Sequence, residues 1–245
     1  MDVPRLSAGL SNRAAGWRRR LAPLWQALLP AHCIVCALPS EDGPVCGACQ
    51  VELPHAAAGC PRCAIGGEAG VACGHCQRHP PGFDWTIARF TYAAPVDQLV
   101  QRLKYGHDFA VVQAFSGAIL AAVARLDVDL VVPVPLHRHR LRERGFNQAV
   151  EIARPLARAW GLPLALDRVT RVRDTSAQAG LARKARQANL RSAFACRDAL
   201  DGRRVLLVDD VMTTGATLDA LARCLKKQGA VEVGALVVAR TPSPR

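Results

Sequence analysis

Residues 205–217, Val-Leu-Leu-Val-Asp-Asp-Val-Met-Thr-Thr-Gly-Ala-Thr, decide the predicted fold of this chain. The four leading apolar residues are typical of a buried strand, and the residues after the two aspartates are typical of a tight turn. A helical pattern follows from Ala216 to Gln228, and Gly229 ends it. A strand, a polar turn and a helix in this order indicate an α/β protein, whose ligands bind at the carboxyl ends of its strands.

The turn is suited to a phosphate group. Its backbone N–H groups and hydroxyls, at residues 213–217, meet the positive end of the following helix, which stabilises a phosphate dianion. Gly215 lets the backbone approach the ligand closely. The turn is neither a Walker loop nor a dinucleotide-binding Gly-x-Gly-x-x-Gly turn. Because Asp209 and Asp210 would repel a phosphate, they fit ribose hydroxyls instead, and the segment predicts a site for a sugar 5′-phosphate.

Strands and helices alternate through the rest of the chain after residue 80. Strands are predicted at 85–92, 130–134, 204–208 and 231–239, short extended runs at 162–166 and 169–172, and helices at 97–105, 109–126, 147–160 and 216–228. Pro155 is expected to kink or interrupt the helix that contains it. The alternation predicts a parallel sheet with right-handed crossovers.

Eight of the ten cysteines lie between residues 33 and 76, and all eight form Cys-x-x-Cys pairs. Residues 33–50 and 60–77 align without a gap and are identical at nine of eighteen positions, which indicates an internal repeat. The N-terminus has no pattern of a secretory signal, so we expect a reducing, cytoplasmic compartment in which such pairs bind metal.

Each repeat supplies four thiolates, enough for one closed, structural, tetrahedral zinc site. We predict one Zn²⁺ on each repeat, while cross-bracing between the repeats is the alternative. The predicted ligands are Cys33, Cys36, Cys46 and Cys49 for the first ion, and Cys60, Cys63, Cys73 and Cys76 for the second.

The charge of the chain points to an anionic partner. The formal net charge is +12, from 32 Lys+Arg against 20 Asp+Glu. Residues 137–191 contain 13 of the bases and four acids, so 13 − 4 gives +9 in about a fifth of the chain. A phosphorylated small molecule or a nucleic acid fits this excess. No run of 18 apolar residues is present, so no membrane span is predicted.

Residues 205–217 resemble the phosphoribosyl pyrophosphate (PRPP) motif of type I phosphoribosyltransferases. Four further segments extend the resemblance to the ComF/GntX family. They are Val132-Pro-Val-Pro-Leu-His, Arg144-Gly-Phe-Asn-Gln, Arg171-Val-Arg-Asp-Thr-Ser-Ala-Gln and Arg186-Gln-Ala-Asn. That family carries an N-terminal double zinc ribbon, and its members are linked to the uptake of transforming DNA. The resemblance covers about residues 31–242.

The resemblance implies a fold and three domains. The fold is a phosphoribosyltransferase-type parallel sheet flanked by helices, preceded by a small cysteine-rich double zinc ribbon. Residues 1–30 are predicted to form an amphipathic segment, 31–80 the double zinc ribbon and 81–245 the phosphoribosyltransferase-like domain.

The resemblance also assigns site residues. It implies that Asp209 and Asp210 hold the ribose hydroxyls. We expect Arg144, Arg171 and Arg173 to bind the pyrophosphate, with Mg²⁺ bridging it to the ribose. The residues expected around the 5′-phosphate are Thr213, Thr214, Gly215, Ala216 and Thr217. Lys104 is a weaker candidate, for which a packing role is slightly favoured.

Three functions are compatible with the sequence. The first is a phosphoribosyltransferase that uses PRPP and an unknown acceptor. The second is a regulator that binds PRPP or a nucleotide without turnover. The third is an accessory protein of DNA uptake that contacts single-stranded DNA or the uptake machinery through the basic segment 137–191.

Overall fold

The computed structural model describes residues 32–172 and 193–242. The chain divides into two compact units, Met1–Val51 and Glu52–Arg245, so the second cysteine repeat shares a unit with the sheet. The predictions for residues 1–30 and for Arg173 lie outside the described residues. Over the described ranges, no helix is both long and apolar enough to cross a bilayer.

A parallel sheet forms the centre of the second unit. Its strands and those of a small hairpin are β1 (Trp85–Thr91), β2 (Leu130–Pro133), β3 (Val169–Arg171), β4 (Phe194–Cys196), β5 (Arg204–Met212) and β6 (Glu232–Arg240). The sheet has the order β1-β6-β5-β2 with every pair parallel, and β3 pairs with β4 antiparallel. Residues 205–208 are completely buried in β5, which explains their continuous apolar character.

The described helices are α1 (Gly47–Glu52), α2 (Gly74–Arg78), α3 (Val96–Gly106), α4 (Ala110–Ala122), α5 (Arg138–Arg144), α6 (Gln148–Trp160) and α7 (Ala216–Lys227). Helix α6 packs on β2, β5 and α4, while α7 packs on β4, β5 and β6. The structure therefore confirms the predicted class, a parallel sheet flanked by helices with a cysteine-rich segment before it.

Four details differ from the sequence prediction. Helix α6 runs without a break through Pro155, because its buried face, which includes Ile152 and Leu156, holds it against the sheet. Strand β5 extends to Met212 instead of ending before the aspartates. The run at 162–166 forms only a single parallel bridge, Val131 to Leu164.

The fourth difference is α5, for which no element was predicted. Its sequence, Arg-His-Arg-Leu-Arg-Glu-Arg, has no apolar periodicity, and none of its residues is buried. The helix is instead defined by its ends. The His137 ring accepts a hydrogen bond from the His139 N–H at the start, and Gly145 ends the helix in the left-handed conformation.

The second cysteine repeat is attached to the sheet along β1. The Thr86 N–H donates to the carbonyl of Pro61, within the repeat, at 3.0 Å, and the Thr91 N–H donates to the carbonyl of Pro54, in the segment before it, at 2.7 Å. Three cysteines of this repeat belong to the hydrophobic core that underlies β5, β6 and α7, namely Cys60, Cys63 and Cys76. This repeat is thus part of the core of the second unit.

Candidate functional site

A cavity of about 160 Å³ lies at the carboxyl end of β2 and β5. Strand β2 ends at Pro133, which pairs with Val208. Beyond Val208, β5 therefore continues without β2 as a neighbour. Asp209 and Asp210 lie on this continuation and line the cavity, as does Thr217 from the first turn of α7. The structure therefore brings the aspartates and the phosphate loop, residues 213–217, to one edge of the sheet, as expected for an α/β ligand site.

The aspartate pair is held by its own backbone. Asp209 Oδ1 accepts from the Asp210 N–H at 2.9 Å, and Asp210 Oδ1 accepts from the Val211 N–H at 2.6 Å. Burial, together with the neighbouring charge of Asp210, raises the pKa of Asp209 to about 7, although Lys104 and Arg171 act in the opposite direction. Asp209 therefore changes its protonation state near neutral pH.

Lys104 belongs to this site, although a packing role was favoured for it. Its Nζ lies 2.8 Å from Asp210 Oδ2, and both side chains are largely buried. Helix α3 buries Leu99, Val100 and Leu103 on its apolar face, and Lys104 lies at the edge of that face. The position of Lys104 beside this apolar face could be read from the sequence and places the residue close to the protein interior. Only the packing of α3 shows that its ammonium group reaches Asp210.

Arg144 and Gln148 also line the cavity. Arg144 Nη1 donates to Gln148 Oε1 at 3.1 Å, and its guanidinium lies 5.5 Å from the centroid of the Tyr105 ring. Gln148 is only 2% exposed, and its Nε2 has no hydrogen-bond partner within the described parts of the chain. A buried donor of this kind is costly unless a ligand oxygen accepts from it. Sequence reasoning placed Gln148 in a family segment and gave it no role.

Arg171 reaches the same cavity from the end of β3. Its guanidinium lies 5.8 Å from the centroid of the Phe194 ring on the paired strand, and its backbone forms a parallel bridge with His137. The cavity therefore has two carboxylates on β5 and three basic side chains around them, from Lys104, Arg144 and Arg171. This is the charge arrangement of a site for an anion that also carries hydroxyl groups.

The phosphate loop has the conformation that its sequence predicts. Gly215 is the N-cap residue of α7 and has a φ of 79°, in the left-handed region. A Cβ atom there would lie 2.6 Å from Cε of Met212, the end of a flexible side chain, so a side chain at this position would strain the backbone and would require Met212 to move. Thr214 Oγ1 accepts from the Ala216 N–H at 3.3 Å, and Thr213 and Thr214 are exposed. The first N–H groups of a helix have no intrahelical partner and are available to a ligand.

The cysteines form two clusters, and each cluster contains the four cysteines of one repeat. Within each cluster the Sγ atoms all lie within 4.8 Å of one another. The Cys36–Cys46 and Cys63–Cys73 sulfur distances are 3.8 and 3.7 Å. Four sulfurs at about 2.3 Å from a tetrahedral Zn²⁺ are separated by about 3.8 Å, so both clusters fit this ion. The structure shows the sequential grouping of ligands and not the cross-braced one.

Comparison with known proteins places these features in a family. Residues 144–245 match a phosphoribosyl transferase domain, and residues 24–77 match a double zinc ribbon domain. Competence protein F of Haemophilus influenzae is 32% identical over 218 residues, which cover 85% of this chain and 90% of the relative. DNA utilization protein YhgH of Escherichia coli is 31% identical over 217 residues, with the same two coverages. The chain belongs to the ComF family.

A solved structure that resembles this ComF-family chain is the glutamine PRPP amidotransferase of B. subtilis. It is 23% identical, with a TM-score of 0.37, over 51% of this chain and 26% of that enzyme.

Membership of the ComF family agrees with the composition of both cysteine clusters. A double zinc ribbon with two four-cysteine clusters supports zinc as the bound ion. Four thiolates complete the coordination, so each ion has a structural role and no open position for catalysis. Among the described residues, only these two clusters bring three or more potential metal ligands together.

The aspartate pair of this ComF-family chain offers oxygen ligands, the type that Mg²⁺ prefers. One Asp210 oxygen is already paired with Lys104, and one oxygen of each aspartate accepts a backbone N–H. Mg²⁺ usually keeps several waters and binds one or two carboxylates together with substrate phosphates. The pair fits an ion that arrives with a phosphorylated ligand better than an ion held by the protein alone.

Proposed function

We propose that this protein binds PRPP at the β5 cavity and acts as a phosphoribosyltransferase. The observation that carries the proposal is the joint position of the aspartate pair, Thr217 at the end of the phosphate loop and three basic side chains on one cavity. Asp209 and Asp210 accept hydrogen bonds from the ribose hydroxyls, and residues 213–217 donate to the 5′-phosphate. Arg144 and Arg171 bind the pyrophosphate, and Arg173 is proposed to assist them.

In the proposed reaction an acceptor nucleophile attacks the anomeric carbon of PRPP. The new bond forms to the acceptor, the bond from carbon to the pyrophosphate oxygen breaks, and the acceptor loses a proton. The protein contributes position and charge. The aspartates fix the ribose, while Arg144 and Arg171 stabilise the charge that develops on the departing pyrophosphate. A bound Mg²⁺ would supply further neutralisation of the pyrophosphate charge.

Pyrophosphate release tests the enzymatic part of this proposal. Zinc-loaded protein is mixed with PRPP, Mg²⁺ and one acceptor at a time from a panel of purines, pyrimidines and amines. Release with at least one acceptor by the wild type, and none by the Asp209→Asn/Asp210→Asn variant, is the expected result. Saturable PRPP binding without release for any acceptor would instead support a regulator that lacks turnover.

PRPP affinity is expected to fall by about tenfold between pH 8 and pH 6. Asp209 has a pKa of about 7, raised mainly by burial, and only its ionised form accepts two hydrogen bonds from hydroxyls. Calorimetric titration with PRPP and Mg²⁺ at several pH values measures this effect. Protonation of the ligand affects the wild type and the Asp209→Asn variant equally. The ratio of the wild-type affinity to the variant affinity at each pH therefore reports the contribution of Asp209 alone. A constant ratio from pH 6 to pH 8 would contradict the assigned role.

Gln148→Glu is expected to weaken PRPP binding by roughly 10- to 100-fold, since a hydrogen bond to a charged group contributes about 1.5–3 kcal/mol. The change replaces the buried Nε2 donor with an acceptor and places a negative charge beside Arg144. Inorganic pyrophosphate should lose affinity as well. The exposed Gln113→Glu on α4 gives the same change of net charge and serves as the control. Equal PRPP affinity in the two variants would contradict a ligand contact by Gln148.

Single-stranded DNA is a second candidate ligand, and α5 favours it. This helix carries four arginines, and one of them, Arg144, lies 5.5 Å from the ring of the exposed Tyr105. Phe109 is also exposed, and Phe146 packs against it at 5.1 Å between ring centroids. Basic residues beside exposed aromatic rings are the elements that bind single strands. The names of the relatives, a competence protein and a DNA utilization protein, agree with such a ligand.

Salt dependence tests this second candidate. Arg138→Ala/Arg140→Ala/Arg142→Ala leaves Arg144 at the cavity intact. This variant should bind single-stranded DNA more weakly and with a smaller dependence of affinity on salt concentration. Affinity for PRPP should not change. If the wild type shows no detectable binding of single-stranded DNA, or if its binding does not depend on salt concentration, this surface is excluded as a DNA-binding site.

A further inference from the structure

Arg240 connects the second cysteine cluster to the phosphate loop. It is the last residue of β6 and is only 7% exposed. Its Nε donates to the carbonyl of Cys63, a residue of the cluster, at 2.9 Å. Its Nη1 donates to the carbonyl of Met212 at 3.1 Å and also to that of Thr213. One guanidinium therefore holds the chain of the second repeat and the beginning of the phosphate loop together.

The partners of Arg240 are backbone carbonyls together with the Thr241 hydroxyl, and the described residues include no ion pair to it. A buried charge is tolerated only when many hydrogen bonds compensate it, so these contacts must stay in place. The planar guanidinium donates in several fixed directions, whereas a lysine donates from one nitrogen at the end of a flexible chain. Lysine at this position would keep the charge and lose the simultaneous contacts.

Packing joins the same two regions. Cys60, Cys63 and Cys76 share a buried cluster with Phe83 and Met212. Phe83 and Met212 are also the residues that surround Gly215, since a Cβ atom there would lie 3.6 Å from Phe83 Cζ and 2.6 Å from Met212 Cε. The glycine of the phosphate loop thus rests on side chains that contact the core of the second repeat.

Helix α7 provides a third connection. Asp219 Oδ1 accepts from the Gly82 N–H, and Arg223 Nη2 donates to the Pro80 carbonyl at 3.0 Å. The segment 80–83 leads directly from the second repeat into β1. The phosphate loop is therefore fixed to the second repeat through Arg240 at its beginning. At its end it is fixed through α7 to the segment that follows the repeat.

We propose that Arg240 is a positioning residue, through which zinc in the 60/63/73/76 cluster and phosphate in the loop 213–217 stabilise each other. In small zinc modules the binding energy of the metal is also the folding energy of the site, so the ion fixes the Cys63 carbonyl. That carbonyl orients Arg240, and Arg240 orients the carbonyls at the start of the phosphate loop. Such coupling is reciprocal, so a bound phosphate must also strengthen the hold on zinc. The proposal rests on the proposed function only through phosphate binding at the loop.

Zinc release from the full-length protein tests the coupling without any activity assay. Transfer of zinc to an excess of a coloured chelator is followed with and without saturating ribose 5-phosphate, whose binding is measured separately by calorimetry. Coupled sites typically change each other's equilibrium affinity by roughly 5- to 150-fold. Because the ligand is expected to act on zinc dissociation, one of the two zinc equivalents should leave at least fivefold more slowly with the ligand. The effect of the ligand on zinc release should still be present in Cys49→Ser, which lacks a ligand of the first cluster. It should be absent in Cys76→Ser, which lacks a ligand of the second cluster.

Arg240→Lys is the decisive variant. It should retain two zinc ions, bind ribose 5-phosphate at least fivefold more weakly and lose the slowing of zinc release. Arg125→Lys is the matched control, because Arg125 Nε donates to a backbone carbonyl, that of Trp160, away from the loop. In Arg125→Lys, ribose 5-phosphate should slow zinc release as much as it does in the wild type.

The outcomes separate this proposal from the proposed function. If ribose 5-phosphate does not bind to the wild type, both fail. If it binds and zinc release is unchanged, only the coupling is overturned, and this result needs no variant. If Arg240→Lys still shows the wild-type slowing, Arg240 is not the residue that transmits the effect and the assignment is overturned.

Discussion

Replacing Asp209 and Asp210 with asparagine together is expected to weaken PRPP binding by at least about 100-fold. Hydrogen bonds to charged groups contribute about 1.5–3 kcal/mol each, and every 1.4 kcal/mol is a factor of ten in affinity. The change also removes the carboxylate that pairs with Lys104 at 2.8 Å. Calorimetric titration with PRPP and Mg²⁺ at pH 8 measures the effect.

The same variant should respond in the opposite way to inorganic pyrophosphate. This ligand has no hydroxyls for the aspartates to accept from, and removal of two negative charges from the cavity lowers the repulsion that an anion meets. Pyrophosphate should therefore bind the double variant at least as tightly as it binds the wild type. Parallel losses for both ligands would contradict the assignment of the aspartates to the ribose.

Thermal unfolding of Asp209→Asn distinguishes a loss of ligand contacts from a loss of folding. The pKa of Asp209 is raised to about 7 in the folded protein, mainly by burial, against about 3.9 for a free aspartate. The folded state therefore binds the proton more tightly, and the stability this gives is lost as the pH rises through 7. Asp209→Asn keeps the neutral form at every pH. Its thermal midpoint should exceed that of the wild type at pH 8, and the difference should shrink toward pH 5.

Gly215→Ala is expected to abolish measurable binding of ribose 5-phosphate and to weaken PRPP binding by at least about 30-fold. A side chain at a φ of 79° costs roughly 1–2 kcal/mol, and the added Cβ would lie 2.6 Å from Met212 Cε. Met212 can move to relieve the contact, but the backbone of the loop must shift to relieve the strain, so several N–H groups lose their alignment with the phosphate, at about 1.5–3 kcal/mol for each charged contact. Titration with each ligand measures the change.

Gly202→Ala is the matched control for this prediction. Gly202 has a similar φ of 73°, but a Cβ atom there would meet nothing within 4 Å, and the residue precedes β5 at the opposite end of the strand. The two variants share the conformational strain, and only Gly215→Ala disturbs the phosphate loop. Similar affinities for ribose 5-phosphate in the two variants would contradict the role of the loop.

The sequence contained most of the fold because local pattern and tertiary environment agree over much of the chain. The apolar run 205–208 is predicted as a buried strand. In the structure it is completely buried, as are residues 235–239 of the neighbouring β6. The repeat of four cysteines predicts the grouping that the structure shows, since each repeat can close one tetrahedral site alone. Gly215 was identified because a residue without a side chain lets the backbone approach a ligand closely, whereas its left-handed φ is visible only in the structure.

The features that the sequence did not predict are those in which segments distant along the chain meet. The Lys104–Asp210 pair joins residues more than one hundred positions apart, and no local pattern specifies it. Gln148 lines the cavity only because the start of α6 packs beside Arg144. Helix α5 depends on its two ends and not on apolar spacing, so periodicity did not reveal it. Arg240 at the end of a predicted strand gave no sign that it contacts the cysteine repeat.

Equilibrium binding of PRPP with Mg²⁺ to the zinc-loaded wild-type protein at pH 8 tests the central claim most directly. Calorimetry should show one site with a Kd in the micromolar range, about −8 kcal/mol, and clearly weaker binding of ribose 5-phosphate and of pyrophosphate alone. This order is expected because the aspartates, the phosphate loop and the basic side chains each contact a different part of PRPP. Absence of saturable binding at millimolar PRPP, or an affinity no higher than that for pyrophosphate alone, would contradict the account.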